Sequence, residues 1–285
     1  MHCLSLFVST TPLPLGIPPR ALSPLLFVLG DIMAEFTISP ENLKNFLTSL
    51  GKDLTDIMIK VGDGKITAAV GKTTHYIKRE MDCGTAQSGN VYVSDLTKLK
   101  AFVNAAKGSE VKVNQARKTG TLHASCGKSS LQLPTSSYIQ SQDKVSLIER
   151  LIEQSVGNMW STWANQSLNY HAVVSGEALK PASSFSKVLG SKYACKTEFD
   201  PSSSEFIIRG GNSQKGKMFV KSALTNVDAP EVSARSAFDN WLPELLTNLP
   251  KGDFNLYTGD ETVLVLEQPD INFLMVVIDQ EYEED

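Results

Sequence analysis

Two hydrophobic periods alternate along this chain. The segment Phe36-Thr37-Ile38 reads as a short strand, and Ser39-Pro40-Glu41 then offers a helix start with proline in the first turn. Leu43, Phe46, Leu47 and Leu50 follow at spacings of three and four, which predicts one apolar helical face ended by Gly51. Period-two runs come next at 56–61, 65–70, 75–81 and 91–93, with Gly62-Asp63-Gly64 as a hairpin turn between the first two. Ser94-Asp95 caps a second predicted helix carrying Leu96, Leu99, Phe102, Val103 and Ala106, and Gly108 stops it. Strands resume at 110–114, 120–125 and 130–134.

A stretch of different character, 138–168, separates this unit from the next. Its 145–152 portion has helical spacing, and Trp160 and Trp163 are expected to pack it down. The first pattern then returns. A strand at 170–174 leads into a helix opened by Ser175-Gly176-Glu177 and continued by Leu179, Phe185, Val188 and Leu189, with Pro181 expected in its first turn. Strands follow at 194–199, 205–210 and 217–224. A further helix is predicted from Ser236-Ala237-Phe238 through Trp241, Leu242, Leu245, Leu246 and Leu249, with Pro243 in its first turn or at a kink. The last strands fall at 253–257, 262–267 and 272–278. One strand–helix–sheet–helix–sheet order thus occurs twice, an architectural repeat in an α+β chain of two helices against antiparallel sheets per unit. The division is 34–137 and 169–285 for the two domains and 138–168 for their connection.

Residues 1–33 stand apart. They are apolar, but Pro12, Pro14, Pro18, Pro19 and Pro24 interrupt them, so neither a secretory leader nor a membrane span of about 20 residues is indicated. They are expected to be a disordered or artefactual extension before a start at Met33. No membrane association follows from them.

Composition narrows the function. A formal net charge of −4 argues against a protein that simply coats nucleic acid, although charge segregated between faces remains compatible with DNA contact. The C-terminal 279–285 segment is acidic, so the rest of the chain is nearer neutrality. Cys3, Cys83, Cys126 and Cys195 are widely spread, without the spacing of a zinc site, and read as free thiols of a reducing compartment. His75, His123 and His171 read as ordinary sheet histidines. The run from Gly211 to Lys217 imitates half of a phosphate loop, but Met218 replaces the required hydroxyl residue and no helix is predicted after it. No motif nominates an enzyme, a metal or a cofactor, and none is expected.

The repeated order, the opening Phe36-Thr37-Ile38 with Leu43, Lys44, Leu47 and Leu50, and the closing stretch from Phe238 through Leu249, Pro250, Glu267 and Asp270 to Ile278 with its acidic tail resemble the DNA sliding clamps. The likeness is to two-domain members such as proliferating cell nuclear antigen and the T-even phage clamp. It implies a DNA-clamp fold with helices lining a central hole and sheets outside. It implies a non-catalytic ring around double-stranded DNA, bound without sequence preference, that recruits a DNA polymerase and is placed by a clamp loader. Six domains per ring make a two-domain chain a homotrimer. The location implied is the cytoplasm, a host's cytoplasm for a phage protein, or a nucleus, with a viral or phage source favoured. On this reading Lys44, Lys52, Lys98, Lys100, Lys107, Lys180, Lys187 and Lys192 face the DNA, while the fourth helix contributes little. Lysine suits sliding because a flexible point charge attracts phosphates without reading bases. Partner peptides would dock outside, at Pro250, Val277, Ile278 and Asp279. Two other readings stay open: a monomeric processivity factor held by charge alone, and a clamp-like structural protein.

Overall fold

The computed structural model describes residues 32–51, 54–116, 120–135, 139–142, 144–155, 160–189, 195–212, 216–238 and 241–278. The N-terminal unit opens with β1 (Ile32–Ile38), which takes in Ile32 and Met33 ahead of the domain boundary set from sequence, and α1 (Pro40–Ser49). Ser39 caps α1, its Oγ accepting the Asn42 N–H at 3.2 Å. The strands β2 (Ile57–Gly62), β3 (Lys65–Gly71) and β4 (His75–Asp82) follow. Asp63 and Gly64 both take positive φ in the turn between β2 and β3, the geometry that lets a two-residue loop match the twist of its strands. After β5 (Gly84–Gln87), which the periodicity did not indicate, come β6 (Gly89–Val93), α2 (Leu96–Ala105), β7 (Val111–Ala116), β8 (Leu122–Cys126) and β9 (Ser129–Leu133). The connection contributes α3 (Val145–Ser155) and a two-strand ribbon of β10 (Thr162–Trp163) and β11 (Gln166–Ser167).

The C-terminal unit repeats the plan: β12 (Tyr170–Ser175), α4 (Gly176–Leu179), α5 (Phe185–Leu189), β13 (Cys195–Asp200), β14 (Glu205–Asn212), β15 (Gly216–Asp228), β16 (Ala234–Phe238), α6 (Trp241–Thr247), β17 (Asp253–Thr258), β18 (Leu264–Gln268) and β19 (Phe273–Val277). The repeat extends to pairing. β1 lies between β5 and β7, and β12 lies between the second half of β15 and β17. Likewise β2 lies between β3 and β6, and β13 between β14 and β16. The long β15 therefore does alone what β4 and β5 do as two strands.

Two helices differ from their sequence reading. The one expected over 175–189 is broken into α4, a 3-10 stretch at Lys180–Ser184 and α5. Pro181 sits in the tight stretch, where its missing N–H and its ring forbid a continuous α-helix. The other was expected to begin at Ser236, but Ala234, Ser236 and Phe238 are buried alternately along β16, and α6 starts only at Trp241. Pro243 falls within the first turn of α6, where its lost N–H costs nothing.

Strands β16-β13-β14-β15-β12-β17-β18-β19-β4-β3-β2-β6 form one antiparallel sheet running through both units, and β5-β1-β7-β8-β9 form another. The units join where β19 pairs antiparallel with β4, from Phe273 opposite Arg79 to Val277 opposite His75. Alternation sorts the seam residues to two faces. Ile77, Leu264, Leu266, Met275 and Val277 face the main core, which holds the buried residues of α1, α2, α4, α5 and α6. Tyr76, Val265 and Val276 face the other way into a second cluster, covered by Val145 and Ile148 of α3 and by Trp160, Trp163 and Leu168. Helices of both units therefore occupy one side of the seam and the connection the other. Burial on both faces explains why β18 and β19 read as nearly unbroken apolar runs.

The connection is held closely. The Tyr76 hydroxyl donates to Glu149 at 3.0 Å, and burial together with Glu149 pushes that phenol's pKa up. Trp160 hydrogen-bonds the side chain of Glu267. Gly71 of β3 gives the start of α3 its room: a Cβ there would lie 2.6 Å from the Val145 nitrogen. Gly71→Ala is expected to lift α3, moving the Trp160 and Trp163 emission to the red with a loss of roughly 1–3 kcal/mol of stability in denaturant titration.

His75 ends the seam. It is buried, and desolvation with Lys72 nearby pushes its pKa down to about 4. The unfolded chain, titrating near the ordinary histidine value of 6.5, takes the proton first. This contribution to stability is thus full above pH 6.5 and is lost as pH falls toward 4, by an amount on the order of 3 kcal/mol. His75→Gln is expected to flatten the pH dependence of the melting temperature across that window.

Candidate nucleic-acid interface

The helical side of the seam collects the candidate cations. In α1, Leu43, Phe46 and Leu47 are buried, which leaves Lys44 exposed on the solvent face beside a shallow groove between α1 and α2. In α2, Leu96, Leu99 and Val103 are buried and Lys98 is exposed. Asp95 caps α2 through the Lys98 N–H at 2.9 Å and pairs with the Lys98 ammonium at 2.9 Å. That ammonium, then the backbone N–H, holds the Asp95 carboxyl below its ordinary pKa. Lys107 is exposed just past α2, and Lys187 is exposed on α5.

Two of the predicted lysines have structural engagements. Lys100 is half-buried and donates to the Gly51 carbonyl at 3.0 Å, a cation at the C-terminal end of α1 where exposed carbonyls favour it. Lys180 is half-buried and lies 3.6 Å from Glu177. Lys52 and Lys192 lie outside the described residues. The fourth helix of the sequence reading is α6, which presents Glu244 on its exposed side, so the exposed members of the predicted lysine set among the described residues come from α1, α2, the segment just after α2, and α5.

Across the seam on the same side runs a cleft of about 300 Å³. Leu50 and Leu54 reach it from the end of α1, Lys72 from the β3–β4 turn, Lys187 from α5, and Trp241 and Leu245 from α6. Sequence reasoning missed this cleft and Lys72. Its walls come from four separate segments, so no local pattern in the sequence marks it.

The described members of the proposed partner-docking set do not form one patch. Val277 faces the main core, whereas Ile278 packs against the outer cluster, because neighbours along a strand point to opposite faces. Pro250 is half-buried after α6, and Asp279 lies outside the described residues. The outer face beside α3 does carry a partly open apolar fringe, with Leu151, Ile152, Leu274 and Ile278 half-buried and Leu147 46% exposed.

The phosphate-loop imitation joins β14 directly to β15, strand to strand, which leaves no helix to receive a phosphate. His75, His123 and His171 belong to β4, β8 and β12 respectively. Among the described residues no cluster of three or more His, Cys, Asp or Glu is placed to hold a metal ion, and no helix is long and apolar enough to cross a membrane.

No family model and no curated protein matches the sequence. Solved structures do match. The DNA polymerase III beta subunit of Thermotoga maritima superposes with a TM-score of 0.63 at 11% identity, over 88% of this chain and 66% of its own. The DNA polymerase sliding clamp of Pseudomonas aeruginosa gives 0.65 at 12% identity, over 89% and 68%. The Helicobacter pylori beta clamp, in a complex with a DNA ligase peptide, gives 0.59 at 12% identity, over 88% and 68%. The chain thus spans about two thirds of the length of these proteins. Two α+β units that share one pairing plan, joined edge to edge with their helices on one side, are the fold of the DNA sliding clamps.

Proposed function

We propose that this chain is a subunit of a DNA sliding clamp, a non-catalytic ring around duplex DNA that keeps a polymerase at its template. The observation carrying this reading is a pair of strand edges that no other strand covers among the described residues. Inside the chain, the last strand of the second unit, β19, pairs with the fourth strand of the first, β4. The equivalent strands are the last of the first unit, β9, and the first half of β15. β9 ends its sheet, and β15 gains β12 as a neighbour only from Leu224 onward. Leu131 of β9 and Met218 and Val220 of β15 are only half-buried, and Phe219 is 64% exposed. Joining β9 of one copy to β15 of the next repeats the internal seam and covers these residues. Such a head-to-tail contact closes into a ring when its rotation closes. With six units to the ring, that means three copies. It also removes edges that would otherwise invite aggregation.

The lysines favour the same reading. Lys44, Lys98, Lys107 and Lys187 are exposed on one side of a chain whose net charge is negative. On a closed ring that side faces the hole, phosphate contacts need only be weak, and closure rather than affinity holds the protein on DNA. The partner surface is then the opposite face, where the fringe around Ile278 and Leu147 suits an apolar segment of a polymerase. A clamp loader would open the ring for entry.

Light scattering on the purified chain is expected to give a trimer of the 31.1 kDa protomer. Leu131→Asp or Val220→Asp should yield folded monomers by circular dichroism. A wild-type monomer at micromolar concentration would overturn the ring and leave the charge-held processivity factor. Charge reversal at Lys44, Lys98, Lys107 or Lys187 is expected to weaken binding to linear duplex of any sequence alike. Each reversal should flatten the salt dependence by about one counterion.

A further inference from the structure

We propose that the cleft across the seam binds an unpaired nucleotide of a single strand. This rests on the preceding reading for one point, that the helical side of the chain faces nucleic acid. The rest comes from the cleft. Of the three tryptophans, Trp160 and Trp163 are 4% and 5% exposed, while Trp241, which lines the cleft, is 40% exposed with no aromatic ring stacked on it among the described residues. Leaving so large a ring in water forgoes the burial that usually retains it. Leu50, Leu54 and Leu245 supply an apolar interior. Lys72 and Lys187 stand on its walls, and neither has a carboxylate within ion-pair distance among the described residues, unlike Lys65, Lys98, Lys112, Lys180 and Lys221.

An exposed indole beside two ammonium groups and an apolar interior matches the two faces of a nucleotide. The base stacks on Trp241 and enters the cleft, and its phosphates meet Lys72 and Lys187. Glu244 and Asn248, also on the cleft, offer an acceptor and an amide to a base edge. Paired bases are already stacked on one another, so a duplex has no free face to give the indole, whereas an unpaired strand does. An apolar peptide in the same place would strip water from two lysines without supplying an anion. The volume of about 300 Å³ suits one nucleotide, not a longer run. In the proposed ring, each copy would hold a strand where it leaves the duplex.

The test uses the full chain at low salt. Because only Trp241 is open to solvent, its emission is titrated with a single-stranded oligothymidylate, a blunt duplex of equal length, and thymidine monophosphate. The single strand is expected to quench most strongly. Quenching by the duplex to the same degree, or none by the single strand, would overturn the site. An equally tight monophosphate would also overturn it, since it would indicate a free-nucleotide pocket. By anisotropy of a labelled strand, Trp241→Ala should weaken binding about fivefold to a hundredfold, the range for one stacked base. Lys72→Gln should weaken it severalfold, with a reduced salt dependence. Trp241→Phe serves as a second variant if the alanine chain fails to fold, and it should retain part of the affinity. Retention on circular duplex separates this site from the ring. Trp241→Ala should still be retained, so a variant that loses both would speak against a distinct site. If instead the wild type is not retained yet its tryptophan is quenched by the strand, the ring fails and the cleft stands.

Discussion

The architecture depends on one pairing, that of β19 with β4. It makes a single antiparallel sheet out of parts from both units and sets the helices of both on one side of the seam. A sheet edge left open between two domains would expose five residues of unpaired backbone and two rows of apolar side chains. The chain closes that edge and then covers both faces, with helices on one and α3 and the Trp160–Trp163 stretch on the other. Arg79 shows how tightly the seam is built. It is buried opposite Phe273, and its Nη1 donates to the Ile271 carbonyl at 2.8 Å, so a guanidinium ties the β18–β19 turn to the first unit.

Much of this was legible in the sequence where a single local rule decides. The first two helices were, because Ser39 and Asp95 cap them and their apolar residues keep helical spacing. The twofold order of elements was legible for the same reason. The departures come where two rules compete. Around Pro181, apolar spacing favours one helix and the proline forbids it, and the proline prevails. From 234 to 237 the residues are small or polar and only Phe238 is large and apolar, so β16 lacks an apolar alternation of its own. Its register is fixed by β13 and by Ser236, whose hydroxyl donates to the Gly259 carbonyl at 3.3 Å and accepts the Thr262 N–H at 3.1 Å. Those partners lie more than twenty residues away and leave no local trace.

The candidate site divides in the same way. That cations gather on the helices can be read from residue type and helical phase. How each cation is used cannot. Lys100 reaches the end of α1 only because α1 and α2 pack together, and Val277 is removed from any outer pocket by strand alternation alone. The cleft needs Leu50, Lys72, Lys187 and Trp241 to meet, which requires both units and the seam between them. A sequence reading works along the chain, and this site runs across it.

The two kinds of seam would be alike in hydrogen bonding and unlike in tether. β19 meets β4 within one chain, so a momentary separation leaves the strands confined near each other and they re-form at high effective concentration. In the proposed ring β9 and β15 of neighbouring copies would have no such leash, and once apart they would find each other only by diffusion or while DNA and the remaining contacts held the arc together. The covalent connection under α3 would thereby decide where such a ring can be breached. In the proposed ring the gates would number one per copy, all at the untethered joints, while the tethered joint in each protomer would serve as a permanent hinge-plate.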